Sequence, residues 1–151
     1  DKMVTLNLSS VRTGPKESEL VNMFLWEKHR ESLQWRRVRL GPLPNKEGAR
    51  AYLVTLRWAD AIFIESNTVH IIEAKLNPNA GAVGQLLQYR DLFPTTPEFS
   101  VYARFPIRMI LLAPVVALDI VELCSRQGID YEVFSVADFE AAKKALRSSS
   151  T

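Results

Sequence analysis

Three residues in the middle of the chain, Asp60, Glu73 and Lys75, have the types and spacing to do hydrolytic chemistry. Residues 60–65 and 69–76 read as two strands, rich in β-branched and apolar side chains, on either side of Ser66-Asn67. A two-residue turn there makes Glu65 face Thr68, Phe63 face His70 and Asp60 face Glu73. Directly opposed residues bring their Cβ atoms to about 4.5–5.5 Å on one face. Lys75, two positions past Glu73, projects from that same face. Two carboxylates that close repel unless one is protonated or a cation lies between them. Such a pair suits a hard divalent ion, Mg2+ with Mn2+ as a substitute. A neighbouring ammonium can orient a water and screen charge developing on a phosphate. The strand around Glu73 is otherwise apolar, so its charges cost stability unless paired or liganded. A three-residue turn would take Asp60 off the face of Glu73.

Several elements must position these groups. Residues 16–30 read as a helix, introduced by Gly14-Pro15, with Leu20, Val21, Phe24 and Leu25 at helical spacing. A strand over 34–40, a loop over 41–48 and an extended stretch over 51–56 come next. Beyond the hairpin, Asn77-Pro78-Asn79 stops the strand, and a helix over 80–93 is ended by Pro94. A long loop over 95–106 leads to a buried strand at 107–113 and a helix at 115–127 closed by Gly128. A strand at 129–134 and a helix from Ser135 to about Arg147 complete the order, with Ser148–Thr151 read as a disordered tail. One α/β domain over 1–151 follows. Its mixed sheet, an antiparallel hairpin plus parallel strands joined by right-handed crossovers, is sandwiched by helices.

Asp60, a spacer of twelve residues and Glu73-Ala74-Lys75 resemble the motif of the PD-(D/E)XK nuclease superfamily, with Trp58-Ala59-Asp60 where that family often has Pro-Asp. Gly84-Gln85-Leu86-Leu87-Gln88-Tyr89 resembles the Gln-xxx-Tyr motif of its RecB-like branch, and residues four apart share a helix face. Glu17-Ser18-Glu19-Leu20-Val21 is similar to the first-helix Glu segment, notably in archaeal Holliday-junction resolvases. Glu17 shares a face with Leu20, Val21 and Phe24 and is the candidate third carboxylate, with Glu19 as fallback. The resemblance covers about residues 16–134. It implies a restriction-endonuclease-like core of helix, three strands, helix and strand. It also implies Mg2+-dependent hydrolysis of DNA phosphodiester bonds that leaves 5′-phosphate and 3′-hydroxyl ends. The metal ligands it implies are Asp60, Glu73 and Glu17. Its catalytic set is Asp60, Glu73, Lys75, Gln85 and Tyr89, with Gln85 and Tyr89 lining the DNA side. The alternative is a catalytically silent nucleic-acid-binding or scaffold module that keeps the fold.

Composition limits the other classes. An apolar fraction of 47 % and a charged fraction of 24 % exclude disorder, collagen and coiled coil as global descriptions. The longest apolar run, 110–118, contains Pro114 and falls far short of the roughly 20 residues of a spanning helix, so no membrane is expected. The opening Asp1-Lys2-Met3 does not read as a signal peptide, and without Met at position 1 a preceding segment stays open. The lone Cys124 allows no internal disulfide, reads as a packed small hydrophobe and fits a reducing, cytoplasmic compartment. A net charge of +2 is too small for a histone-like binder. Arginines nevertheless outnumber lysines twelve to seven, and Arg36, Arg37 and Arg39 form the densest basic spot. These three are candidate contacts to a DNA backbone. Nothing calls for an organic cofactor. A free-standing domain of this size often acts as a homodimer to cut two strands. His70 is expected on the face away from Glu73, His29 as a helix C-terminal cation, and Trp26 and Trp35 in the core. Trp58, opposite Lys75 in the hairpin register, borders the site.

Overall fold

The structure, a computed structural model, describes residues 16–43 and 57–149. The extended stretch expected at 51–56 and most of the loop expected at 41–48 lie outside the described residues. Helix α1 (Glu17–His29) opens with the Glu19 carboxylate accepting the Lys16 backbone N–H at 2.7 Å, satisfying a donor that the first turn leaves over. Acidic residues in its first turn and Lys28 and His29 in its last complement the helix dipole. Strand β1 (Leu33–Leu40) follows, then β2 (Arg57–Glu65), β3 (Thr68–Ala74), helix α2 (Ala80–Leu92), strand β4 (Ile107–Ala113), helix α3 (Leu118–Arg126), strand β5 (Ile129–Val133) and helix α4 (Val136–Ser149).

The five strands lie in chain order in a single sheet. Pairs β1–β2 and β2–β3 are antiparallel, and β3–β4 and β4–β5 are parallel. Short antiparallel connections can be tight turns, whereas each parallel pair needs a crossover, here supplied by α2 and α3. One face of the sheet packs Ile62, Ile71 and Leu111 against Leu86 and Tyr89 of α2 and Ile120 and Cys124 of α3. The other packs Ala61, Phe63, Ile72 and Ile110 against Leu20, Val21, Phe24 and Leu25 of α1, with Phe134 alongside. Strands β3 and β4 are buried on both sides, which is why they read as nearly unbroken apolar runs.

The β2–β3 hairpin has the expected register, with Glu65 opposite Thr68 and Phe63 opposite His70. Ser66 and Asn67 both take left-handed backbone, φ 53° and 56°. That pair of values is the two-residue turn whose twist matches the flanking strands. Regular pairing runs only to Ala61–Ile72, one rung short of Asp60 and Glu73. A second irregularity lies one strand over. Strands β1 and β2 keep one register from Leu33–Ile64 to Leu40–Arg57, yet the rung joining Arg37 and Asp60 is missing, and Arg37 has φ 52°.

Other expectations shift. The long loop after α2 contains two 3-10 turns, Phe93–Thr95 and Pro97–Tyr102, which bury Phe93 and Phe99. Helix α3 begins at Leu118 rather than 115, because Tyr131 Oη donates to the Val115 carbonyl at 2.7 Å and accepts the Ala117 N–H at 3.2 Å, holding that segment out of the helix. Helix α4 runs through Ser149, two residues into the expected tail. Trp26 is 48 % exposed rather than in the core, since it falls outside the buried stripe of α1, and the Arg30 guanidinium lies 4.7 Å over its ring. Trp35, expected in the core, is only partly buried and packs edge-on against the buried Phe99, and Cys124 is buried.

The turn sets a measurable expectation. Replacing Ser66→Asn together with Asn67→Gly puts residues tolerant of positive φ at both positions and should stabilise the fold by about 0.5–1 kcal/mol, read as a higher urea midpoint at unchanged slope. A lower midpoint would contradict the turn geometry.

Candidate active site

Glu73 is the last but one residue of β3 and is almost wholly buried. Its Oε1 accepts from Tyr89 Oη at 3.1 Å, and its Oε2 lies 3.7 Å from Lys75 Nζ. Tyr89 comes from the buried stripe of α2, and its hydroxyl is also within 2.9 Å of the Trp58 carbonyl. Helix α2 is fixed at its start by Asn79, whose Oδ1 accepts the Ala82 N–H at 3.0 Å. Tyr89 shares the buried stripe of that helix with Ala82, Val83 and Leu86. Asp60, in β2, directs Oδ2 at the Ala74 N–H, 2.8 Å away. Where the β2–β3 ladder stops, a carboxylate thus takes the backbone donor. Asp60, Glu73 and Lys75 meet at the end of the hairpin, but not as three side chains standing in a row on one pleated face.

The electrostatics reflect crowding of negative charge. Burial pushes the Glu73 carboxyl up from its ordinary 4.5 to about 7, and the Asp60 charge pushes in the same direction; the Tyr89 hydrogen bond and Lys75 pull back. Asp60 is raised as well, first by burial, with the Ala74 N–H opposing and the Glu17 charge adding. Tyr89 is held well above the ordinary phenol range, first by burial and then by the Glu73 charge.

Glu17 opens α1 and its Oε2 accepts the Leu76 N–H at 3.1 Å, tying the helix start to the chain just after β3. With Asp60, Ser18, Val21, Asn22, Arg36 and Arg37 it lines a cleft of about 280 Å³. Among the described residues, no three His, Cys, Asp or Glu side chains are gathered closely enough to hold an ion by themselves. Glu17, the expected third ligand, thus takes a backbone donor with one oxygen, as Asp60 does with the Ala74 N–H. Glu19 is used as the cap of α1. The oxygen donors of Asp60 and Glu73 are of the kind that suits a hard divalent cation: both are partly desolvated, and the charge of Asp60 already raises Glu73.

The other candidates separate. Gln85 is half-buried, and its side chain makes no hydrogen bond to another described residue. Tyr89 is 1 % exposed, so it steadies Glu73 and offers no surface to a nucleic acid. Arg39 donates through Nη2 to both carboxylate oxygens of Glu98, at 2.8 and 2.9 Å, and through Nη1 to the Gly41 carbonyl. Arg36 bonds Asn22 at 2.7 Å and Gln34 at 3.2 Å. Arg37 alone of the three makes no hydrogen bond among the described residues, and its guanidinium lies 5.9 Å over the half-exposed ring of Trp58. His70 is on the opposite side of the sheet as expected, stacked on Phe63 at 4.2 Å. His29 stacks on the same ring and bonds Glu65 at 3.0 Å. The structural partners missed from sequence are backbone groups, the Ala74 and Leu76 N–H and the Trp58 carbonyl, which no side-chain pattern announces.

No protein-family model matches the chain, and no curated protein does. Among solved structures, a repair endonuclease from Pyrococcus abyssi aligns at 18 % identity with a TM-score of 0.51, over 82 % of this chain and 49 % of that one. An EndoMS–dsDNA2 complex and EndoMS in apo form align at 14 % and 16 % identity, with TM-scores of 0.46 and 0.49. They cover 83 % and 82 % of this chain and 48 % of each of those chains. The chain thus spans about half the length of these proteins. The likeness to the Pyrococcus abyssi structure is one of fold. The mixed five-stranded sheet with helices on both faces is the restriction-endonuclease-like architecture.

The raised Glu73 carboxyl has a thermodynamic consequence. Between about pH 4.5 and 7 the folded state holds a proton that the unfolded chain has released, so stability falls as pH rises through that window. In metal-free buffer Glu73→Gln should therefore stabilise the protein at pH 8, by on the order of 2 kcal/mol, and hardly at all at pH 4.5. Melting temperatures of both proteins at the two pH values measure this. An equal effect at both would mean that Glu73 is not held against ionisation.

Proposed function

We propose that this chain is a divalent-metal-dependent nuclease that hydrolyses DNA phosphodiester bonds, leaving 5′-phosphate and 3′-hydroxyl ends. The observation that carries this reading is the buried Glu73, braced by Tyr89 at 3.1 Å and Lys75 at 3.7 Å, with the charge of Asp60 beside it. The motif order Asp60, Glu73-Ala74-Lys75, Gln85 and Tyr89 supports it, as does a fold shared with a protein described as a repair endonuclease.

Asp60 and Glu73 would hold Mg2+, with Mn2+ as a substitute. When bound, such an ion neutralises phosphate charge and lowers the pKa of water. Asp60 is held by the Ala74 N–H, and Glu73 by Tyr89, so both carboxylates are fixed in the fold. Lys75 reaches the outer oxygen of Glu73, where its ammonium can orient the attacking water and meet charge growing on the phosphate. Arg37, which lines the cleft beside Asp60, is the arginine best placed to hold the flanking backbone, a positioning contact rather than a base-reading one. Arg36 and Arg39 are already tied within the fold.

Purified protein with Mg2+ or Mn2+ should nick or degrade DNA, and Glu73→Ala and Lys75→Ala should each reduce the rate by about three orders of magnitude or more. Cleavage that survives in both variants would overturn the assignment. Tyr89→Phe removes the hydroxyl that steadies Glu73 and should lower kcat about 10- to 100-fold while the protein remains folded by circular dichroism. An unchanged rate would remove Tyr89 from the machinery.

A further inference from the structure

We propose that Arg37 is a positioning residue for Asp60, acting through its left-handed backbone rather than only through its charge; this rests on the nuclease reading above. In a straight strand, side chains alternate between the two faces. Along β2, Ile62 and Ile64 pack in the core under α2, and Ala61 and Phe63 in the core under α1, as alternation requires. Ala59 then breaks the rule. It should join Ala61 and Phe63, yet it packs in the α2-side core. Strand β1 breaks it at the same level: Trp35 packs against that α2-side core, and so do Val38 and Leu40, three and five positions on.

Both breaks fall on the one rung that the ladder omits, Arg37 opposite Asp60. The register is identical on either side, so no residue has been inserted and this is not a bulge. It is a kink shared by two strands, and the residue whose backbone pays for it is Arg37, at φ 52°. Continued alternation would send Asp60 with Ile62 and Ile64 to the α2 side of the sheet, where Glu73 is already a costly buried carboxylate against Tyr89. With the kink, Asp60 lines the cleft with Glu17 and reaches the Ala74 N–H. The kink thus turns Asp60 off the face it would share with Glu73 and sets it at the end of β3 on the α1 side, beside Glu17 and at the Ala74 N–H.

The backbone role is separable from the charge. Arg37→Gly, Arg37→Asn, Arg37→Ala and Arg37→Val all delete the guanidinium but differ in tolerance of positive φ: glycine adopts it freely, asparagine readily, alanine poorly and valine worst. Isothermal titration calorimetry with Mn2+ alone, in the absence of DNA, reads the assembly of the site. Affinity should fall in the order Gly, Asn, Ala, Val, with valine roughly 5- to 30-fold weaker than glycine. Cleavage rates at saturating Mn2+ should converge, because bound metal restores the kinked form. Arg37→Gly should melt at or above the wild-type temperature. Should Arg37→Val fail to fold, the Asn–Ala comparison carries the same test.

Four variants with equal Mn2+ affinity, alongside an active wild type, overturn this inference and leave the nuclease reading intact. A wild type that neither binds Mn2+ nor cleaves DNA overturns both.

Discussion

The site depends on keeping a carboxylate in a place where a carboxylate does not belong. Glu73 interrupts a strand buried on both faces, and removing it from water favours its neutral form. Two neighbours offset that penalty without removing it. A phenol from α2 donates to one oxygen, an ammonium two residues along the strand stands near the other, and Asp60, which makes the penalty worse, is brought close all the same. A structure tuned only for stability would put a hydrophobe at 73. Tolerating the charge makes sense where a cation completes the balance.

The sheet supplies the geometry by failing to be regular. Its two antiparallel pairings are both broken at the level of Asp60: β2–β3 ends there, and β1–β2 skips a rung there. Backbone groups released by the interruption are taken by carboxylates, the Ala74 N–H by Asp60 and the Leu76 N–H by Glu17. Unpaired backbone donors would be costly in a buried sheet. Acidic side chains therefore serve as acceptors for the frayed ladder and in the same act become fixed in place. Positive φ at a non-glycine residue is the local cost of that arrangement, and such strain persists where surrounding packing over-determines it. Here the two cores on either side of the sheet do so.

Much of this was legible from residue types. Charged residues in an apolar strand are informative because burial is expensive, so Glu73 and Lys75 stand out in the sequence itself. Tyr89 came from the resemblance to a Gln-xxx-Tyr motif, although its role differs from the one that resemblance implies: the hydroxyl bonds Glu73 and the Trp58 carbonyl and leaves no exposed ring to meet DNA. The arginine run was the least legible feature. Composition cannot say which guanidinium is already occupied, and the partner of Arg39 is Glu98, 59 positions away, on a 3-10 turn that read as loop. Trp26 failed for a similar reason, since a large apolar residue outside the buried stripe of a helix has no core to enter.

Sequence alone determined the order of elements, the hairpin register and the identities of the three central groups, because alternation, turn chemistry and the cost of buried charge are local or pairwise properties. Tertiary structure decided where the ladder stops, which backbone donors the carboxylates take, and which face Asp60 presents. Those depend on how three strands and two helices twist past one another, and a one-residue break in alternation leaves no mark in composition or spacing.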